Sequence, residues 1–216
     1  MEDLIIYGAG DLGREFLWLA ATCLPGFCLL GFLDDALLPG TVISHYPVLG
    51  NATYFECYFT PTAVICAVGA PSDKKRIVQA LKRLPFIRFP AAVHPSAILA
   101  DRAKLGEGSV VGPLCTVSVD TIVGSHVLIN QGCAVGHHGY IGDYAMLAPG
   151  CHLGGHVSVG EGAVLGVGCS IKPGVVIGEY AVIGAGAAVV CDIPAYCTAV
   201  GVPARPRDDR TGEHDL

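Results

Sequence analysis

A glycine run near the start and a spaced set of histidines in the second half hold the residue types from which chemistry could be built. Leu4-Ile5-Ile6-Tyr7 is a short apolar run that opens into Gly8-Ala9-Gly10-Asp11-Leu12-Gly13. This matches G-x-G-x-x-G between a strand and a helical stretch, Arg14 to Leu24. Glycines there let the backbone close on a phosphate at a helix N-terminus. The next apolar run, Cys28 to Leu33, ends at Asp34-Asp35, about twenty residues past the loop, where an acid would meet a ribose hydroxyl. A third run, Ala63 to Val68, ends at Gly69 and precedes helical spacing from Ser72 to Leu84. Gly8, Gly10, Gly13, Asp34, Asp35 and Gly69 are thus the candidate nucleotide contacts; the alternative is a tight strand–helix turn that holds nothing. A segment of under about ninety residues lacks both halves of a dinucleotide fold, so a mononucleotide is expected rather than NAD.

Farther on, Asp120, His138 and His156 recur every eighteen residues. His137 and Gly155, one place earlier, keep the same interval. Whether such an interval brings side chains together depends on the element that bears them.

That element is a hexapeptide run. From Ala97 to Asp192 the chain falls into sixteen uninterrupted hexads whose third place is always Leu, Val or Ile. Gly follows in ten of the sixteen, and the first place is small, with Val the largest residue found there. Neither a helix period nor strand alternation gives this beat; a parallel β-helix does, with places one and three inward and the glycine near a corner to let the backbone turn. Cys115, Cys133, Cys151 and Cys169 also lie eighteen apart. Three hexads per coil would stack them about 4.8 Å apart in a three-sided prism. The same rule puts Asp120 and His156 one coil either side of His138, so that an Asp120–His138 pair could form at a corner. Stacked histidines could also hold a metal, but no ligand spacing beyond the stack supports one, and none is expected. His126 and His152 fall on outward places and are expected at the surface. Strand edges left open at the ends of the coil require caps.

The chain has 216 residues and a formal charge of −6, which argues against nucleic-acid binding. The apolar content of 52% is spread through the hexads, with no membrane-length run. Met1-Glu2-Asp3 carries no positive n-region, so no signal peptide is expected. The remaining cysteines show no C-x-x-C pairing, so reduced thiols and a cytoplasmic location are expected.

With these residues in view, the sequence resembles the bacterial sugar acetyltransferases of the sialic acid O-acetyltransferase and UDP-amino-sugar N-acetyltransferase type. The likeness is carried by IIYGAGDLGRE, GFLDD, Tyr46-Pro47-Val48-Leu49-Gly50, and Ala67-Val68-Gly69 before a basic helix with Lys74, Lys75 and Arg76. It continues through His94-Pro95-Ser96-Ala97, Asn130 with His137 seven on, and Gly201-Val202-Pro203-Ala204. The resemblance implies a left-handed β-helix, a homotrimer with active sites where coils of neighbouring subunits meet, and acetyl-CoA as the donor. It implies that residues 1–90, a Rossmann-like α/β half-domain, hold the nucleotide end of a UDP-sugar. Residues 91–205 would then form the acetyltransferase coil and 206–216 a flexible tail. His137 falls on the family's catalytic histidine and Gly155 on its acetyl-contacting glycine. A neutral imidazole suits removal of a proton from an acceptor, and a backbone N–H suits the oxyanion. Lys172-Pro173-Gly174 is either a bend lining CoA or a plain turn.

One departure touches the chemistry. The family places Glu or Asp directly after the catalytic histidine, where this chain has His138, so His138 joins His137 as a candidate catalytic residue. The reading is an acetyl-CoA-dependent N-acetyltransferase of a nucleotide-linked amino sugar for surface glycan or glycoprotein synthesis. The alternatives are O-acetylation of a sugar or sialic acid, and a non-catalytic trimeric scaffold with the nucleotide domain as a sensor.

Overall fold

The computed structural model describes residues 1–207 and divides into two compact units, Met1–Pro95 and Ser96 onward. The division falls five residues after the boundary expected at 90/91. The expected tail begins at Pro206, which still pairs in a strand; 208–216 lie outside the described residues.

The first unit is a six-stranded sheet with helices. In chain order it contains β1 (Glu2–Tyr7), α1 (Asp11–Cys23), β2 (Phe27–Leu33), β3 (Val42–Ile43), β4 (Tyr46–Gly50), β5 (Thr62–Cys66), α2 (Pro71–Leu81) and β6 (Ile87–Arg88). The sheet order is β3-β4-β2-β1-β5-β6, parallel except for the β3–β4 hairpin. Ile5, Ile6, Phe32, Leu33 and Val64 are fully or almost fully buried, because strands of a covered parallel sheet bury both faces and so read as unbroken apolar runs. α1 buries Gly13, Phe16, Leu19 and Ala20 on one face, and α2 starts on Pro71, whose missing N–H would have no helical partner there. The short β3, β4 and β6 lack the apolar runs that announced β1, β2 and β5.

The second unit is the expected coil. Each hexad gives one two-residue strand at its second and third places, and strands eighteen residues apart pair in register: Thr116 with Ala134, Ala134 with His152, His152 with Ser170. Three parallel sheets result. Places one and three are buried from Ser109 onward. Cys115, Cys133, Cys151 and Cys169 are reduced and at most 1% exposed. The Cys169 thiol lies 3.6 Å from the sulfur of Cys151, and those of Cys115 and Cys133 donate to the carbonyls of Asn130 and Ala148. Thr198–Val200 pairs antiparallel with Arg205–Pro206 at the C-terminal end.

Two expectations need correction. The place-four glycines do not supply the turn, for the left-handed backbone sits at place six, as in Asp120, His138, Gly150 and Gly168. Place four is tight instead: a Cβ on Gly136 would come within 2.5 Å of the Gly154 carbonyl carbon one coil on. Nor is His126 at the surface. It is 2% exposed, with its ring folded over Gly108 and stacked on Tyr144 at 5.3 Å and 7°. A place-six side chain can lie along the corner column, so an outward place is not always a wet one. His152 is exposed as expected.

Candidate functional site

In the first unit the glycine loop joins β1 to α1. Gly8 has φ +106°, and a Cβ there would meet the Ala67 carbonyl oxygen at 2.5 Å, so only glycine fits. A Cβ on Gly13 would strike the Gly8 carbonyl, so this glycine lets α1 sit against the loop. Gly10, the residue before α1, has open space around its Cα, as does Gly69 after β5. Of the six candidates, Gly8 and Gly13 build the loop while Gly10 and Gly69 leave room beside it.

The paired aspartates separate in the same way. Asp34 accepts from the Ala9 N–H at 2.9 Å and from Ala36 N–H at 2.9 Å, so its carboxylate ties the loop to the end of β2. Asp35 accepts the Tyr7 hydroxyl at 2.7 Å. Burial, with that hydrogen bond next, holds the Tyr7 phenol well above its usual range. Tyr7, Gly8, Asp35, Asp73 and Arg76 line a cleft of 230 Å³ beside the loop. Arg76 supplies a cation there, paired at 3.5 Å with exposed Asp73. Tyr7 and Arg76 join the candidate site here from the structure alone. Arg76 stood in the basic helix already noted, while Tyr7 looked like the end of an apolar strand. Lys74, also in that helix, is 2% exposed, and burial lowers its pKa.

In the second unit, places five and six of one corner column bring the histidines together. Asp120, His138 and His156 all adopt left-handed backbone, with φ of 56°, 56° and 60°. A neighbouring corner fills its equivalent positions with Gly132, Gly150 and Gly168. Histidine and aspartate tolerate this conformation better than most residues, but still at some strain. The rings of His138 and His156 stack at 4.9 Å and 22°. His137 stands edge-on to both, and its Nδ1 lies 3.1 Å from Nδ1 of His138. Nε2 of His138 is 3.7 Å from Asp120 Oδ2, which also accepts from Arg102 at 2.7 Å. The eighteen-residue interval does bring Asp120 and His138 together, at 3.7 Å rather than hydrogen-bond distance, and Arg102 is the closer partner of Asp120.

The His137 imidazole lies over Gly155, one coil on; a Cβ at Gly155 would come within 2.5 Å of His137 Nε2. The ladder also leaves the N–H of place five unused. At this corner the place-six N–H bonds back one coil, as His138 to Val119, His156 to His137 and Gly174 to Gly155, while place five donates to no backbone carbonyl. At the other two corners side chains take up two of the place-five N–H groups, with Asp143 accepting from Ser125 and Asn130 from Gln131. Pro113, Pro149 and Pro173 have none to satisfy. No hydrogen bond among the described residues uses the N–H of Gly155. Pro173, one coil further, packs its ring where a Cβ of Gly154 would be, and Lys172 before it is exposed. An imidazole nitrogen thus lies beside a residue whose amide is spare, and a base together with an N–H donor is the pairing that a proton transfer coupled to a developing oxyanion needs.

Comparison with known proteins bears on both units. Residues 3–81 match the PglD N-terminal domain family and residues 156–190 the bacterial transferase hexapeptide family. The acetyltransferase domain of PglB from Neisseria gonorrhoeae FA1090 is 30% identical, covering 96% of this chain and 100% of that one, with a TM-score of 0.89. PerB from Caulobacter crescentus, solved in complex with CoA and GDP-perosamine, is 29% identical over 96% of this chain and 98% of its own, with a TM-score of 0.88. The GDP-perosamine N-acetyltransferase of Escherichia coli O157:H7 is 30% identical over 123 residues, and the match spans about half of that enzyme, 55% of its length.

Proposed function

The chain belongs to the hexapeptide-repeat sugar acetyltransferases of the left-handed β-helix type that carry a PglD N-terminal domain, and from that premise we propose that it transfers acetyl from acetyl-CoA to the amine of a nucleotide-linked sugar. The observation that carries the reading is that His137 Nε2 lies where a side chain of Gly155 would be, beside a residue whose N–H has no partner among the described residues. The acceptor amine attacks the thioester carbonyl carbon while His137 Nε2 takes the amine proton. Charge then gathers on the carbonyl oxygen, where the Gly155 N–H donates to it. Collapse expels the CoA thiolate, which takes up a proton, and the products are the amide and CoA thiol.

For this role His137 must keep its lone pair on Nε2, and its neighbours favour that tautomer. If the His138 Nε2–H faces Asp120, then His138 Nδ1 is an acceptor and takes the Nδ1–H of His137 at 3.1 Å. Asp120 and His138 thereby act as positioning residues in place of the carboxylate that the family has directly after the base. Lys172 and Pro173 are assigned to the CoA side of the coil.

In the N-terminal unit, the N–H groups around Gly10 receive the diphosphate, with Gly69 leaving room beside them. Asp35 with Tyr7 meets the ribose, and Arg76 adds charge to the cleft. The uridine expected from the resemblance stands beside the guanosine that the relatives' names contain. Outward Ile122, Tyr140 and Val176, each 46–48% exposed on one sheet, offer an apolar face for the homotrimer. Release of free thiol from acetyl-CoA, measured against a panel of UDP-, GDP- and CMP-linked amino sugars and their hydroxyl analogues, tests the assignment. Thiol release with none of them would overturn it.

A further inference from the structure

The histidine corner has a second use open to it. Nitrogens of His137, His138 and His156, one from each ring, lie within 4.8 Å of one another, and all three side chains are exposed. The facing Nδ1 atoms of His137 and His138 are 3.1 Å apart. Two imidazole nitrogens on a tetrahedral zinc ion at 2.0–2.1 Å stand about 3.3 Å apart, so this edge is already close to a ligand edge. His156, stacked on His138 and edge-on to His137, needs only rotation of an exposed ring to bring in the third nitrogen. A fourth place faces solvent. Behind His138, Asp120 lies against the ring nitrogen that would not bind the ion, and Arg102 holds Asp120 in turn. A carboxylate behind a ligating imidazole is the usual outer partner of a bound metal ion, fixing tautomer and ring orientation.

We propose that His137, His138 and His156 form a site for a first-row transition cation of the zinc, cobalt or nickel type, and that the ion inhibits transfer rather than serving it. Three neutral imidazoles suit these ions and not calcium or magnesium, which take oxygen ligands. The inhibition rests on the reading of His137 as the base. An ion on Nδ1 obliges the neutral ring to keep its one proton on Nε2, the atom that must accept a proton from the amine. No redox change is involved: the ion displaces solvent and the ring proton moves to the other nitrogen. His156 has no part in the proposed transfer, so it separates the two roles.

The test uses the untagged full-length protein and its His156→Asn variant, chosen because asparagine accepts the left-handed corner. Cobalt(II) is titrated in and followed by its visible absorption. Expected is one ion per chain with the intense bands of a four-coordinate site and no thiolate charge-transfer band, which excludes the exposed cysteines. H156N should weaken binding by at least about tenfold while keeping wild-type turnover in chelator-treated buffer. Zinc should inhibit wild-type turnover, with potency falling in H156N by a similar factor. No saturable binding, equal binding by both proteins, or thiolate-type spectra would overturn the site. Binding that leaves turnover intact would overturn the inhibitory role. Loss of the base assignment itself would instead show as full turnover in a His137 variant, leaving the cobalt titration to judge the site.

Discussion

The ring of His137 occupies the space above Gly155 that a side chain would need, with Nε2 at 2.5 Å from the position of a Cβ. Two residues eighteen positions apart are thereby fitted to each other, the second small because the first is large. Gly155→Ala keeps the amide but pushes the imidazole aside, so turnover should fall by about 10²-fold with an unchanged far-ultraviolet spectrum, since misplacing a catalytic group by about 1 Å has that effect. Steady-state kinetics with circular dichroism decides it. Unchanged turnover would mean that His137 does not act from over Gly155.

The cysteine column gives a prediction on packing. Cys133 is 1% exposed within a prism whose first places are small. Cys133→Leu should lower stability by roughly 1–3 kcal/mol through overpacking, read from urea unfolding. All four stacked cysteines are at most 1% exposed, so their thiols in the native protein should resist alkylation at pH 8 for want of access and react on unfolding. Rapid native labelling of all ten cysteines would contradict the closed coil.

At the glycine loop, two substitutions of equal size should part company. Gly8→Val meets the Ala67 carbonyl from a left-handed backbone and should lower the melting temperature of the N-terminal unit. Gly10→Val enters open space, so it should leave melting alone and weaken binding of the sugar nucleotide. Calorimetry of both variants with UDP and GDP separates the outcomes; wild-type binding of neither nucleotide would reduce the loop to a turn.

Lys74 offers a prediction in pH. Burial lowers its folded pKa below the ordinary lysine value. Its unfavourable contribution is therefore full below the folded pKa and disappears as pH rises past the unfolded one. Lys74→Met should melt higher than wild type at pH 7, by about 2–4 °C for each kcal/mol recovered, with the gap narrowing toward pH 10. A lower melting temperature at pH 7 would show that the ammonium makes a favourable contact the variant has lost.

How far the sequence could be read follows from which residues repeat. The coil was legible because every hexad repeats the same inward places, and the eighteen-residue cysteine interval set the number of sides. The glycine of place four misled, since composition does not say whether a glycine is there for its φ or for close approach; Gly136 is there for the second. His126 misled because a corner side chain can fold along its column, and only the ring stack with Tyr144 shows that it does. Asp34 and Asp35 were inseparable as neighbours; their partners, Ala9 N–H and the Tyr7 hydroxyl, tell them apart. The meeting of His137 with His138 and His156 depends on ring directions at left-handed corners, which spacing alone does not encode.

The central claim is most directly tested by the turnover of His137→Ala with acetyl-CoA and the amino-sugar nucleotide that the wild type accepts, alongside CoA binding by calorimetry. The account predicts intact fold and CoA affinity with kcat lower by about 10²–10⁴, the usual contribution of a general base, and partial recovery at high pH, where more of the amine is already deprotonated. Wild-type kcat in the variant, with the wild type itself active, would contradict it.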